Sequence, residues 1–426
     1  LRSLALMSTS HAHPSPRRMT RSHWHHINTH PPLNCDVAIV GGGIVGTATA
    51  HWLSEPTARK VVLLDAGTLG SGASGRNAGF VLQGTDACYH ADIERHGADT
   101  ARQIWQITQA NRDLLAGSLD AAAFDWVPCG SWTVAGDAAE DDHVRRSQAH
   151  LEAHGIATTY HAPAETNDRL GSTGFFGSLF VPSGGTVDPL RLVRYLAETS
   201  RAALYPHHPV LHLTAGPRGV RLHTPHRDVR AQQVVLAVGP SLPRLVPRLH
   251  PYVRPVRAQM LATTAAAPGM LPGPLYSHHG GFYVRQKPSG VVLAGGGRHD
   301  HAAAEETAAD ATTGSVQDAI EAYLHRHFPG VQDAAVQRRW SGTMGFSPDG
   351  LPVVDHVPGA DRVVFATGFT GHGMGFGVWV GRMLAAWVAS GRLPEDVACL
   401  RSRRFARPPA SIAEPPGPAR PIPTDG

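Results

Sequence analysis

The first regular pattern is Asp36-Val37-Ala38-Ile39-Val40, a short apolar run that leads straight into glycines. A run this short, without alternation, predicts a strand buried on both faces. A helical stretch over 44–53 follows, and Val61-Val62-Leu63-Leu64-Asp65 repeats the buried-strand pattern. Together these predict a β-α-β unit. Farther along, the pattern predicts a helix over 189–203, short β segments near 210–213 and 220–222, and a buried strand Val234-Val235-Leu236-Ala237-Val238 ending at Gly239. A last strand, Arg362-Val363-Val364-Phe365-Ala366, leads through Gly368 and Gly371 into a helix over 375–389. Residues 1–33, rich in His, Pro and Ser, carry no apolar period and predict a disordered leader. The Pro-rich stretch 404–426 predicts a disordered tail.

Glycine spacing gives the first pattern a chemical meaning. Gly41-Gly42-Gly43-Ile44-Val45-Gly46 fits G-x-G-x-x-G between a strand and a helix. Gly41 permits the tight turn, Gly43 lets backbone approach a pyrophosphate, and Gly46 lets helix pack on strand. The N–H groups around Ile44 and Val45 then face an anion. Asp65, followed by Ala66, ends the second strand, where a carboxylate accepts hydrogen bonds from ribose hydroxyls and repels a 2′-phosphate. The motif predicts a dinucleotide and disfavours NADP; on its own it leaves FAD and NAD open.

Composition adds mostly exclusions. The chain has 426 residues, 42% hydrophobic and 17% charged, with a formal net charge of +4. These values suit a globular enzyme of two connected domains. The arginines form no long basic run, so nucleic-acid binding is disfavoured. Lys60 and Lys287 are the only lysines beside abundant Arg, Ala and Pro, a bias suggesting a bacterial source. Cys35, Cys88, Cys129 and Cys399 show neither CxxC spacing nor partner histidines, so no metal site and no disulfide framework is expected. No apolar run is long enough to span a membrane, and the start lacks a signal-peptide core. A cytoplasmic location is expected.

A second small-residue loop, Gly70-Ser71-Gly72-Ala73-Ser74-Gly75-Arg76-Asn77-Ala78-Gly79-Phe80, follows the ribose strand. Here the chain resembles the FAD-dependent D-amino acid oxidase superfamily, in particular the branch of glycine oxidase, sarcosine oxidase and γ-glutamylputrescine oxidase. The resemblance continues through Trp340-Ser341-Gly342, Ser347-Pro348-Asp349-Gly350-Leu351-Pro352 and Ala366-Thr367-Gly368-Phe369-Thr370-Gly371-His372-Gly373-Met374, and so spans about residues 34–400. It implies an α/β fold in which a discontinuous Rossmann-like FAD-binding domain, over 34–85, 180–245 and 335–400, is interleaved with an α+β substrate domain. That second domain, over 86–179 and 246–334, is built on an antiparallel sheet. It also implies that Ser74, Arg76, Asn77, Ala78 and Gly79 approach phosphate and flavin, with Gly342 beside them. Gly371, His372, Gly373 and Met374 would present N–H groups to the flavin pyrimidine ring. Val210 would meet adenine through its backbone, and Ala237 and Gly239 would line the cofactor.

The implied activity is oxidation of a C–N bond in a small amine or amino acid to an imine, with hydride transfer to flavin N5 and electrons passed to oxygen or another acceptor. Two other readings stand beside it: a flavin-bearing subunit or scaffold of a larger complex, and an NAD-linked reductase. Relatives with covalent FAD use a Cys in the segment matching 341–348 or a His beside the Gly70–Phe80 loop. This chain has neither, so non-covalent FAD is expected. The family's two carboxylate anchors fall at Met344 and Gly375. Arg285, in Gly281-Phe282-Tyr283-Val284-Arg285-Gln286, is therefore the first candidate anchor and Arg76 the second. Tyr283 and Arg285, two apart on one strand, would share a face and point into the pocket. With His372 they make the expected catalytic set. His278 and His279 are expected in a loop.

Overall fold

A computed structural model describes residues 31–54 and 59–405, and the expected leader and tail fall mostly outside them. The β-α-β unit forms as patterned. Strand Leu33–Val40 and strand Val61–Leu64 pair in parallel, with helix Ile44–Leu53 between them. Their sheet also takes in Asp228–Leu236 and Ala360–Thr367 in parallel, and Val353–Val357 as an antiparallel edge. Strand Asp228–Leu236 pairs with Leu33–Val40 along one edge and is shared by two strands along the other. Its first half pairs with Gly219–His223 and its second half with Ala360–Thr367.

Helices Ile44–Leu53, Pro189–Glu198 and Gly373–Ser390 cover one face of this sheet, and Ala98–Gly117 packs outside them. Two close approaches let the first and last helices touch. A Cβ on Gly377 would stand 2.7 Å from the Ile44 side chain, and one on Gly381 would stand 2.5 Å from that of Ala48. The long helix Ala98–Gly117 escapes the sequence pattern, yet its buried Asn111 anchors the last helix. The Asn111 amide donates to Met374 O at 3.0 Å and accepts from Val378 and Trp379 N at 3.0 Å.

The second sheet runs Val336–Phe346, Arg254–Ala265, Val291–Gly296, Phe282–Gln286, Leu275–Ser277, Ser131–Val134, Ser178–Val181 and Thr159–His161 in spatial order, and is antiparallel except between Leu275–Ser277 and Ser131–Val134. Two expectations change here. Strand Val336–Phe346, assigned from sequence to the first domain, pairs along its length with Arg254–Ala265 in the second sheet. Strand Ser178–Val181 crosses the expected boundary at 180 likewise. Apolar periodicity marks a strand but not its partner. The expected tail also starts too early. Arg404 grips Asp349 through Nε at 2.6 Å and Nη2 at 2.9 Å, and Arg401 reaches Asp355 at 2.6 Å. Pro-rich composition conceals such ion pairs.

A buried ion pair ties the second sheet to the short helix Ala302–Glu305. Arg257 Nε and Nη2 donate to the two Glu305 oxygens at 2.8 and 2.6 Å, with Gln259 Nε2 adding a third bond at 3.0 Å. Their side chains are 6% and 1% exposed, so neither can turn to water. Removing one partner leaves a charge uncompensated in a medium that solvates it poorly. Glu305→Ala is expected to cost about 3–5 kcal/mol, read as a lowered urea midpoint. An unchanged midpoint would show that Arg257 finds another partner.

Candidate cofactor and substrate site

The glycine turn at the top of the first strand is held by contacts no larger residue permits. Gly41 has φ +110°, and a Cβ there would lie 2.3 Å from Ala237 O; on Gly46 it would lie 1.9 Å from Gly41 O. Gly43 differs, since its Cβ would meet only the Ser74 side chain, at 2.8 Å from Oγ. Helix Ile44–Leu53 has no side-chain cap of its own, and Ile44 N donates to Ser74 Oγ at 2.9 Å. The first turn is therefore a bare, positive helix end over which the second loop folds. Asp65 closes the cradle, its Oδ2 accepting from Gly42 N at 2.6 Å and its Oδ1 from Gly67 N at 2.7 Å. Each oxygen keeps a lone-pair direction for a ribose hydroxyl.

Hydrogen bonds within the second loop fix its shape. Asn77 Nδ2 donates to Ala73 O and Ser74 O, both at 2.9 Å, and Asn77 Oδ1 accepts from Gly79 N at 2.7 Å. Arg76 donates through Nη1 to Asp310 at 2.7 Å and to Ser341 O at 2.9 Å, and through Nε to Ser71 O at 2.8 Å. Trp340 Nε1 donates to Arg76 O at 2.9 Å. Gly342 faces the Arg76 side chain, where a Cβ would be 3.1 Å away. Arg76, the second candidate anchor, is thus committed to joining loop and sheet.

Between the two sheets lies a cavity of about 670 Å³, within the roughly 300–1,000 Å³ of ligand sites. Arg76, Asn77, Ala78, Gly342, Gly371, His372 and Met374 line one end of it. The loop ahead of helix Gly373–Ser390 is unusual, because Thr370, a β-branched residue, takes φ +45° between left-handed Gly368 and Gly371. Thr370 N donates to Gly345 O at 2.9 Å and its Oγ1 accepts from Ser347 N at 3.2 Å, contacts that hold it there. Such strain persists where surrounding structure imposes it, commonly at functional sites. Val210, Ala237 and Gly239 do not line the cavity. Val210 packs beside the far core of the first sheet, and Ala237 backs the Gly41 turn.

The opposite wall comes from the second sheet. Tyr283 lines the cavity with Tyr276, its cross-strand partner, and with Phe80, whose ring lies 6.2 Å from that of Tyr283 and 5.3 Å from that of Tyr276. Room for the Tyr283 ring is left by Gly295 opposite it, where a Cβ would stand 2.4 Å from the ring. Burial pushes the Tyr283 phenol up to about 12 and the Tyr276 phenol higher still, so both stay protonated near neutrality. His372 stacks on Tyr276 at 5.7 Å, and neither ring nitrogen has a partner among the described residues. Burial holds this imidazole below the usual histidine range, hence neutral at pH 7.

Arg285 is not placed as its strand alternation suggests. Its Nη1 donates to Gly79 O at 3.2 Å and Val187 O at 3.0 Å, and it does not line the cavity. It shares a strand face with Tyr283, but the backbone at Gly79 and Val187 covers that end of the face. Two guanidinia line the cavity without a carboxylate partner among the described residues: Arg95, exposed on helix Tyr89–His96, and Arg298, which follows Gly295-Gly296-Gly297 at the end of strand Val291–Gly296 and is the one on the second-sheet wall. Arg298 stacks on Phe346 at 4.8 Å and makes no side-chain hydrogen bond or ion pair among the described residues. Nearby Arg254 sits 5.9 Å from the same ring but is engaged by Glu306 at 2.5 Å. The sequence signal for Arg298 was slight: an arginine at the mouth of a glycine run.

His278 and His279 form the tip of the hairpin between Leu275–Ser277 and Phe282–Gln286, at φ 54° and 53°, and both line the cavity. Glu140 braces that tip, accepting from His279 N at 2.5 Å and Gly136 N at 2.7 Å. Among the described residues no His, Cys, Asp or Glu cluster is placed to hold a metal ion, and no helix is long and apolar enough to cross a membrane.

Comparison with known proteins agrees with this geometry. The family described as FAD dependent oxidoreductase matches residues 36–387. The chain is 27% identical over 398 residues to one of the subunits of an opine oxidase from Agrobacterium tumefaciens (strain Ach5), covering 87% of this chain and 97% of that one. It is 26% identical over 367 residues to a probable oxidoreductase, OrdL, of Rhizobium meliloti (strain 1021), covering 82% of each. In fold it matches the crystal structure of glycine oxidase from Geobacillus kaustophilus with a TM-score of 0.75, at 21% identity over 90% of this chain and 99% of the other.

Proposed function

The chain belongs to the FAD-dependent oxidoreductase family, and from that premise we propose that it oxidises the C–N bond of an amino acid, or of a secondary amine bearing a carboxylate, to the imine. The observation that carries this reading is the Arg298 guanidinium, facing the cavity with no carboxylate of its own. A planar guanidinium receives a carboxylate through two parallel bonds, which fixes the position of the α-carbon as well as the charge. When bound, the flavin supplies the two-electron acceptor for the hydride leaving that carbon.

The chain's residues fit that cofactor. The Gly41–Gly46 turn and the bare helix end suit a pyrophosphate, and Asp65 suits a ribose. Gly371, His372, Gly373 and Met374 would present a helix start to the flavin ring, where a positive end stabilises developing negative charge. Phe80, Tyr276 and Tyr283 shape an apolar wall that excludes water from the reacting carbon, and the neutral His372 adds no competing charge. Cys88 is the cysteine lining the cavity, and burial pushes its thiol up, away from the nucleophilic thiolate. Heat or acid is therefore expected to release free FAD from the purified protein. Flavin retained in the precipitate would indicate a covalent bond.

Anaerobic bleaching of the yellow holoprotein by amino acids, compared with amines of the same carbon skeleton lacking the carboxylate, tests the reading. Preferential reduction by the carboxylate-bearing set supports it, whereas reduction by simple amines alone overturns the role of Arg298. The similarity to a protein named as a subunit of opine oxidase favours a second reading, a flavin-bearing subunit of a larger oxidoreductase. That reading predicts a yellow protein that no candidate reduces until a partner chain is added.

A further inference from the structure

An amino acid enters a neutral solution as an ammonium, which has no lone pair on nitrogen. Loss of hydride from the neighbouring carbon needs that lone pair to form the C=N bond, so one proton must leave first. Several acceptors in the cavity are poor places to leave a proton, because burial holds the His372, His278 and His299 imidazoles below the usual histidine range. The two tyrosines remain protonated. Glu140 is already compensated by two backbone donors, Gly136 N and His279 N, and braces the hairpin tip. Asp92 is 2% exposed, holds the Thr85 hydroxyl at 2.6 Å, and is pushed up by burial to about 7.

Asp86 remains. It lines the cavity in the loop ahead of helix Tyr89–His96, a loop fixed by Ala87 N donating to Thr85 Oγ1 at 3.1 Å. Its Oδ1 is buried and has no hydrogen-bond partner among the described residues. A bare buried carboxylate oxygen is costly unless something is meant to meet it. Although burial is the larger influence on Arg298 and on His372, Asp86 is the charge that acts most strongly on both. Asp86 and Arg298, each without a hydrogen-bonded partner among the described residues, thus line one cavity and act on one another as charges, as the two ends of an amino acid would require.

We propose that Asp86 receives the amino nitrogen of the substrate and takes from it the proton that must leave before the adjacent C–H bond breaks. In this step one N–H bond breaks and one O–H bond forms. Asp86 becomes neutral, the substrate becomes a carboxylate with a neutral amine, and Arg298 keeps its counter-charge. Net charge in the cavity is unchanged, so a site shielded from water can carry the transfer. The inference rests on Arg298 as the carboxylate seat.

The test uses holoprotein and two ligands that cannot be oxidised, α-aminoisobutyrate and pivalate, which differ only by an ammonium in place of a methyl group. Binding is read from perturbation of the flavin spectrum. Wild type should prefer α-aminoisobutyrate, and Asp86→Asn should lose about 10- to 150-fold of that preference, as for a charge-assisted bond. Pivalate should bind the variant as well as wild type or better. A second readout is the pH profile of kcat/KM. Asp86→Asn can use only substrate already deprotonated in solution, so its profile should climb toward alkaline pH where that of wild type is level. The groups facing Asp86, namely Arg298, His372, Tyr276, Asp92 and His96, remain in both proteins. An unchanged ligand preference in Asp86→Asn, or none in wild type, overturns the proposal. If Arg298→Ala leaves pivalate binding intact, the carboxylate seat itself is wrong, which separates the two failures.

Discussion

Gly43→Val is expected to give a folded, colourless protein with no bound FAD. The position separates fold from cofactor binding better than its neighbours do. A side chain at Gly46 would strike the Gly41 backbone carbonyl at 1.9 Å, and one at Gly41 would strike Ala237 O at 2.3 Å; either would break the first sheet. Gly43 has φ −82° and ψ −172°, ordinary extended backbone for valine, and its Cβ would meet only Ser74. The β-branched side chain would push Ser74 off Ile44 N and cover the helix end that a pyrophosphate needs. Circular dichroism should match wild type while the flavin spectrum is lost. A variant that keeps the full yellow spectrum would refute the cradle assignment.

The second large effect is expected at Arg298. Truncation to Ala should raise KM for carboxylate-bearing substrates about 10- to 150-fold, the equivalent of the roughly 1.5–3 kcal/mol of a charge-assisted hydrogen-bonded contact. FAD content should not change, because Arg298 belongs to the second sheet's wall and not to the glycine turn or the Gly70–Phe80 loop. Arg298→Lys should recover only part of the loss, since an ammonium keeps the charge without the bidentate fork. Unaltered kinetics in Arg298→Ala on the best amino acid would refute the seat. Arg285→Ala is the control: by holding Gly79 O and Val187 O it should bear on stability more than on KM.

Several features were legible in the sequence because they depend on residues close together along the chain. Helix Ile44–Leu53 lies where its pattern placed it, between the two strands expected to flank it. The glycine spacing, Asp65 and the Gly70–Phe80 loop each report local backbone needs: a tight turn, a bare helix end, small residues at a close approach. The final strand and helix, Ala360–Thr367 and Gly373–Ser390, were visible for the same reason.

Tertiary structure decided what converges on the cavity. Alternation along Phe282–Gln286 put Tyr283 and Arg285 on one face, as read, but could not tell that Gly79 and Val187, 206 and 98 residues away from Arg285, would cover one end of it. Nor could it tell that strand Val336–Phe346 would join the second sheet, because register and partner depend on burial against distant segments. Asp86 and Arg298 stand in loops without periodicity, far apart in the chain, and neither carries a motif. A local pattern specifies which face of an element is apolar. Which charges are left unpaired depends on which distant charges fail to reach them, and that is settled only when the two sheets close around the cavity.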